Sequence, residues 1–222
     1  MKTTTILAIS LASLLLTTAS AQTINWAHLQ PEEKHLVSVQ AGFEYAFAYG
    51  LGYARKLGTK MPSLLMVEVS QPAGEDLFDD FKTKIGGQVR VLQLNRFQVS
   101  LKVQGVFRRY QNDYVRMLNF GSDMSASAGY YRPRWFAAGE TGFDKAIVTH
   151  FKHSDLVRAD FPGVRDGWYK PATGGNFYYG ISAGLSLPKT DITIRAGRVI
   201  QQDFRTNPTI PFYCAIGVTR KF

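Results

Sequence analysis

From Val37 to Tyr53 the chain alternates two kinds of side chain without a break. One parity carries Val37, Ala41, Phe43, Tyr45, Phe47, Tyr49, Leu51 and Tyr53, and the other Ser38, Gln40, Gly42, Glu44, Ala46, Ala48, Gly50 and Gly52. A period of two belongs to a strand whose faces meet different media. The pattern returns repeatedly. Phe97, Val99, Leu101 and Val103 oppose Gln98, Ser100, Lys102 and Gln104. Phe120, Met124 and Tyr130 oppose Asn119, Asp123 and Gly129. Phe177, Tyr179, Ile181 and Leu185 oppose Asn176, Gly180, Ser182 and Ser186, and Ile192 and Ile194 flank Thr193 and Arg195. Such a chain is all-β.

Alternation alone does not say which face lies inside. A soluble sandwich or lipocalin-type barrel would bury the apolar parity, and a membrane barrel would show it to lipid. Composition favours lipid. Beyond residue 21 no stretch approaches the ~18 apolar residues of a transmembrane helix. A membrane protein of this kind therefore spans as a closed barrel, which satisfies every backbone group internally. The polar parity is rich in Gly, Ala and Ser, poor chemistry for a solvent-exposed strand but suited to a narrow lumen. Tyr and Phe gather near segment ends of the apolar parity, as interfacial girdles do.

The two ends add a compartment. Lys2, the apolar run from Ile6 to Leu16 and Ala19-Ser20-Ala21 form the pattern of a secretory signal peptide. Gln22 is not the Cys of a lipoprotein, so residues 1–21 are expected to be removed and 22–222 to form one barrel domain. At the other end, Phe212 to Phe222 alternates and closes on an aromatic. These residues, with Trp168-Tyr169 and the run Gly174-Gly175-Asn176-Phe177-Tyr178-Tyr179-Gly180, resemble the small outer-membrane β-barrels of Bacteroidetes-type bacteria, within the porin-like and OmpA-like barrel superfamily. The resemblance implies an outer-membrane location and assembly by the barrel-assembly machinery, with Phe222, Val218 and Ile216 as its signal. Arg220 stands where such signals often carry an aromatic, and its aliphatic stem can snorkel to the interface.

Turns set the count. Arg132-Pro133-Arg134 and Pro188 to Asp191 are tight connections, whereas 143–174 and 202–210 are long. Outer-membrane barrels place short turns in the periplasm and long loops outside. Gln88 to Tyr110 exceeds one span and divides at Asn95-Arg96, across which the outward parity flips from Leu92 and Leu94 to Phe97 and Val99. A three-residue turn near Tyr45 divides the 37–53 run. The expectation is an antiparallel transmembrane up-and-down barrel of ten strands, with eight overlong strands as the fallback. Loop 72–87 is expected outside, with Gly74 to Gly87 as a short amphipathic helix presenting Leu77, Phe78, Phe81 and Ile85.

Candidate chemistry is sparse. Cys214, the single cysteine, falls on the apolar parity and excludes an internal disulfide. His150 and His153, near Asp144 and Asp155, have metal-like spacing but no further ligand pattern, and Ser154 merely adjoins His153. No catalytic residue, metal or cofactor is assigned, and the chain is expected not to be an enzyme. Glu44, Glu68, Lys102, Arg108, Asp123, Glu140 and Arg195 fall on the lumen parity and must pair there, because an isolated buried charge is expensive. The formal charge of +9 is spread among turns, loops and lumen rather than gathered in a nucleic-acid stripe. Arg108, Arg109, Arg132 and Arg134 are expected to meet anionic lipid and lipopolysaccharide. The function expected is a structural or surface-interaction role through extracellular loops, with an unidentified surface or periplasmic protein as possible partner. The alternatives are a narrow channel and a lipid-modifying enzyme.

Overall fold

A computed structural model describes residues 24–43, 46–73, 79–170, 175–205 and 207–222. The expected signal peptide, Glu44 and Tyr45 lie outside the described residues. The strands are β1 (His35–Phe43), β2 (Phe47–Leu57), β3 (Ser63–Pro72), β4 (Asp80–Leu94), β5 (Phe97–Gln111), β6 (Val115–Tyr131), β7 (Trp135–His153), β8 (Gly167–Tyr169), β9 (Gly175–Leu187), β10 (Thr190–Gln201) and β11 (Phe212–Lys221). A short helix, α1 (Asp155–Asp160), follows β7. Each long strand pairs antiparallel with its neighbours, β7 pairs with β9, and β1 pairs with β11 through Val39↔Val218. Ten strands thus close into an up-and-down barrel, and β8 merely extends the far end of β7. Lys34 and His35 both donate backbone N–H groups to the Phe222 carbonyl (2.7 and 3.1 Å), which joins the first strand to the last residue.

Both divided segments divide as expected. Phe43 pairs with Phe47 across a three-residue connection, and an odd-numbered connection leaves the parity unbroken. Asn95, at φ 54°, opens the two-residue turn between β4 and β5. The left-handed region is one that Asn tolerates better than most residues.

Two expectations are corrected. Residues 143–174 are not one loop: β7 continues to His153, past a bulge opposite Phe120 and Gly121 that leaves Ile147 unpaired. Of the helix expected over Gly74 to Gly87, residues 74–78, with Leu77 and Phe78, lie outside the described residues, and 80–87 are strand. Phe81 and Ile85 lie on the outward face of β4, since positions four apart share a face in either element. Val91 forms a second bulge, which switches the outward parity of β4 from Ile85 to Leu92 and Leu94.

The outer wall is apolar: Leu51, Leu65, Val103, Met124, Ile181 (69% exposed) and Ile194 all face out. Aromatics bracket this band. Phe97 and Phe107 on β5, Tyr130 and Phe120 on β6, and Phe212 and Phe222 at the C-terminus each stand about ten residues apart, which on tilted strands spans roughly 25 Å, the height of a bilayer-facing apolar band. We call the end at Phe222 the terminal end and the other the loop end.

Candidate functional site

The interior is filled rather than open. At the terminal end, residues 24–29 fold into the barrel mouth. Ile24 and Trp26 pack on Leu36, Ala54, Leu64 and Met66, all buried. Asn25, with no exposed surface, donates from Nδ2 to the Arg132 carbonyl (2.8 Å) and Ser186 Oγ (2.9 Å). Trp26 Nε1 donates to Ser100 Oγ (3.1 Å), and the Arg90 guanidinium lies 5.9 Å from its ring centroid. Lys221 Nζ, buried on β11, donates to Asp191 Oδ1 (2.8 Å) and to His28 Nδ1 (2.5 Å), tying the segment to the wall. Tyr131 stacks on Phe136 (5.4 Å, 8°) beside it.

Above this plug the lumen holds charge. Glu140 accepts from Arg195 Nε through both carboxylate oxygens (3.1 Å each), and Oε1 also accepts from Arg195 NH2 and Tyr213 Oη, each at 2.5 Å. Asp123 accepts from Lys84 Nζ (2.5 Å) and Tyr178 Oη (2.9 Å). Lys102 Nζ lies 3.9 Å from Glu68 Oε1, which also accepts from Gln104 Nε2 (3.3 Å). Nearer the loop end, Arg108 grips Asp80 bidentately (2.9 and 2.5 Å). These contacts link β3 to β5, β4 to β5 and β6, β6 to β9, and β7 to β10 and β11.

Glycine makes room for the two tyrosines. A Cβ on Gly142 would stand 2.3 Å from Tyr178 Cζ. One on Gly180 or Gly197 would stand 2.4 or 2.5 Å from the Tyr213 hydroxyl. The rings lie across neighbouring strands, and their hydroxyls reach the buried carboxylates.

Of the expected lumen charges, Glu68, Lys102, Arg108, Asp123, Glu140 and Arg195 are all buried inside, none more than 6% exposed. Glu44 lies outside the described residues. Arg108 is therefore not a lipid contact, and its neighbour Arg109, of opposite parity, faces out. Arg132 and Arg134 are exposed at the terminal end, where Arg132 NH2 and Arg96 NH1 donate to the Tyr130 hydroxyl (3.3 and 3.1 Å). Ile216, Val218 and Phe222 all face outward. Sequence reasoning missed Lys84, Asp80, Tyr178, Tyr213 and the plug. The signal for Lys84 was present: Phe81-Lys82-Thr83-Lys84-Ile85 alternates.

At the loop end His150 and His153 do not converge. Three apart on a strand, they take opposite parities, and His150 packs edge-on against Trp168 (4.9 Å). His153 Nδ1 lies 2.9 Å from Asp166 Oδ1, and its backbone N–H donates to the same oxygen (2.8 Å). Ser154 caps α1, accepting from the Val157 N–H (3.4 Å). Among the described residues no group of three His, Cys, Asp or Glu is placed to hold a metal.

The His153 backbone N–H, then its side chain, hold the Asp166 carboxyl below its ordinary value. A depressed folded value means the contribution is complete above the unfolded pKa of about 4 and is lost as pH falls through the folded value. Amide exchange in 155–166 is expected to accelerate, relative to intrinsic rates, on acidification through that window. The Asp166→Asn protein should show no such step, and a step of equal size in both proteins refutes the assignment.

A closed ten-stranded antiparallel barrel, apolar outside and charge-filled inside, is the outer-membrane β-barrel fold. The chain matches no protein-family model, and no curated protein matches it in sequence. Among solved structures it is similar to "KdgM porin in complex with disordered oligogalacturonate", at 9% identity and TM-score 0.44, covering 84% of this chain and 99% of that one. It is also similar to "Crystal structure of the outer membrane enzyme PagL", at 13% identity and TM-score 0.33, covering 84% and 98%. Both are likenesses of fold alone. They do correct one expectation: the chain was expected not to be an enzyme, yet a barrel of similar architecture is one.

Proposed function

We propose that this protein is an integral barrel of the bacterial outer membrane, of the small Bacteroidetes type, whose role is structural or surface-interacting and is exercised from its loop end. In this reading residues 1–21 direct secretion, the barrel-assembly machinery reads the strand ending in Phe222, and the terminal end is periplasmic. The loop end, with α1, β8 and the connection 202–211, then faces outside as the place where a surface partner would bind.

The observation that carries the reading is the filled lumen. The Ile24–Trp26 plug blocks one mouth, and the Glu140–Arg195 and Lys84–Asp123 pairs, each bridging over one intervening strand, lie buried in the lumen beyond it. A solute path would have to break buried charge pairs, which disfavours the channel alternative. The aromatic bands about ten residues apart support the membrane placement.

Membrane behaviour and conductance test it. The folded protein is expected to float with phosphatidylcholine vesicles and resist urea extraction, and unheated samples should migrate anomalously on SDS gels. In planar bilayers the same preparation is expected to pass no sustained current. Recovery as a soluble periplasmic protein overturns the location, and steady conductance steps overturn the closed lumen.

A further inference from the structure

The outward wall at the loop end is ordered in three rows by strand register. Phe107, Phe120 and Val148 are cross-strand partners in the first, Arg109, Leu118 and His150 in the second, and Gln111, Arg116 and Lys152 in the third. The first row belongs to an aromatic belt. Phe81 and Phe107 are 5.9 Å apart, Phe107 and Phe120 5.1 Å, and Phe120 and Trp168 5.9 Å. Directly beyond the belt the face turns basic.

Arg116 and Lys152 oppose each other on β6 and β7, both exposed, so their Cβ atoms lie about 5 Å apart. Like charges directly opposite one another repel. Among the described residues neither cation has an ion-pair or side-chain hydrogen-bond partner. The nearby acids do not relieve them: Asp155 and Asp166 engage Arg158 and His153, and Asp113 in the adjoining turn pairs with neither. Arg109, diagonal to Arg116, donates to Gln111 Oε1 (2.9 Å). Beside the pair lies a shallow depression of about 200 Å³, whose lining includes Gln111, Asn112, Arg116, Lys152, His153 and Ser154.

We infer that Arg116 and Lys152, flanked by Arg109, bind the phosphate of an outer-leaflet lipid headgroup. The inference rests on the membrane placement proposed above. A phosphate supplies the countercharge that the paired cations lack. It accepts the planar fork of an Arg through two oxygens and the ammonium of a Lys through a third. Inorganic phosphate has the same chemistry, but the site stands one to two rows above an aromatic belt, where headgroups lie. Tethered acyl chains would then run down the apolar wall below.

The test uses full-length folded protein in neutral detergent, titrated by calorimetry with short-chain phosphatidic acid, with diacylglycerol of the same chains, and with inorganic phosphate. Phosphatidic acid is expected to bind at least about tenfold more tightly than either, and Arg116→Ala/Lys152→Ala to lose about tenfold, as expected for charge-assisted hydrogen bonds. Lys170→Ala, an exposed loop change, should leave the affinity unaltered, and Arg116→Lys should restore part of the loss. Anomalous gel mobility confirms that each variant is folded. Unchanged affinity in the double variant, or inorganic phosphate binding as tightly as the lipid, overturns the inference. Failure to float with neutral vesicles overturns the membrane placement instead, and the two failures are thereby distinguished.

Discussion

Glu140→Ala is expected to destabilise the barrel by about 3–5 kcal/mol, because it removes one partner of a buried charge pair. Arg195 donates three hydrogen bonds to that carboxylate, and Tyr213 adds a fourth. Among the described residues, Glu140 is flanked on the wall by Gly180 on β9 and Ser127 on β6. The pair therefore bridges β7 and β10 over the inner face of β9. Urea titration of the protein folded in vesicles would read the loss as a lowered midpoint with an unchanged slope. Replacing both partners, Glu140→Met with Arg195→Met, should recover much of the loss, since an apolar pair of similar volume removes the desolvation penalty as well as the attraction. A single variant as stable as the parent, or a double variant worse than both singles together, would show that this pair does not hold the lumen.

Trp26→Ala carries the second large effect, about 3–5 kcal/mol for emptying a buried indole site. The site is well fitted. The ring is 6% exposed, packs with Ile24 against four strand residues, and gives its only N–H to Ser100. Asn25→Ala should cost less, about 1–3 kcal/mol, by leaving the Arg132 carbonyl and Ser186 hydroxyl without their donor. Strand content should stay the same in both variants, since the plug contributes no strand to the barrel. Circular dichroism with urea titration separates the outcomes. Loss of strand signal on replacing Trp26 would mean that the segment is needed for closure, and unchanged stability would mean that the plug does not seat.

The parity of β1, β2 and β5 was legible because each strand puts one face toward an apolar medium and the other into a crowded lumen. Apolar and polar residues then separate cleanly at period two. Legibility failed where one local pattern serves two structures. Phe81 and Ile85 share a face in a helix and in a strand, so the run from Asp80 onward read as helix. Asp144 read as loop because the apolar alternation of β7 breaks at the Ile147 bulge, with lumen residues on both sides of it. Six of the seven lumen charges were visible as odd polar positions on the correct face, but their partners were not. Lys84 finds Asp123 across 39 residues and Tyr213 finds Glu140 across 73, and no local periodicity encodes such distances.

The amino-acid sequence by itself determined the architecture: ten antiparallel strands, their inward and outward faces, and Phe212–Lys221 as the closing strand. It did so because pleat and turn are local, set by side chains two residues apart and by the chemistry of connections such as Asn95-Arg96. Tertiary structure alone decided how the interior charges pair, that residues 24–29 fill one mouth, and which outer rim carries unpaired charge. Those properties depend on how far each strand is staggered against its neighbours when the sheet closes, a global quantity. The stagger seats Trp26 in the mouth, sets Arg195 against Glu140, and leaves Arg116 and Lys152 facing one another above the aromatic belt.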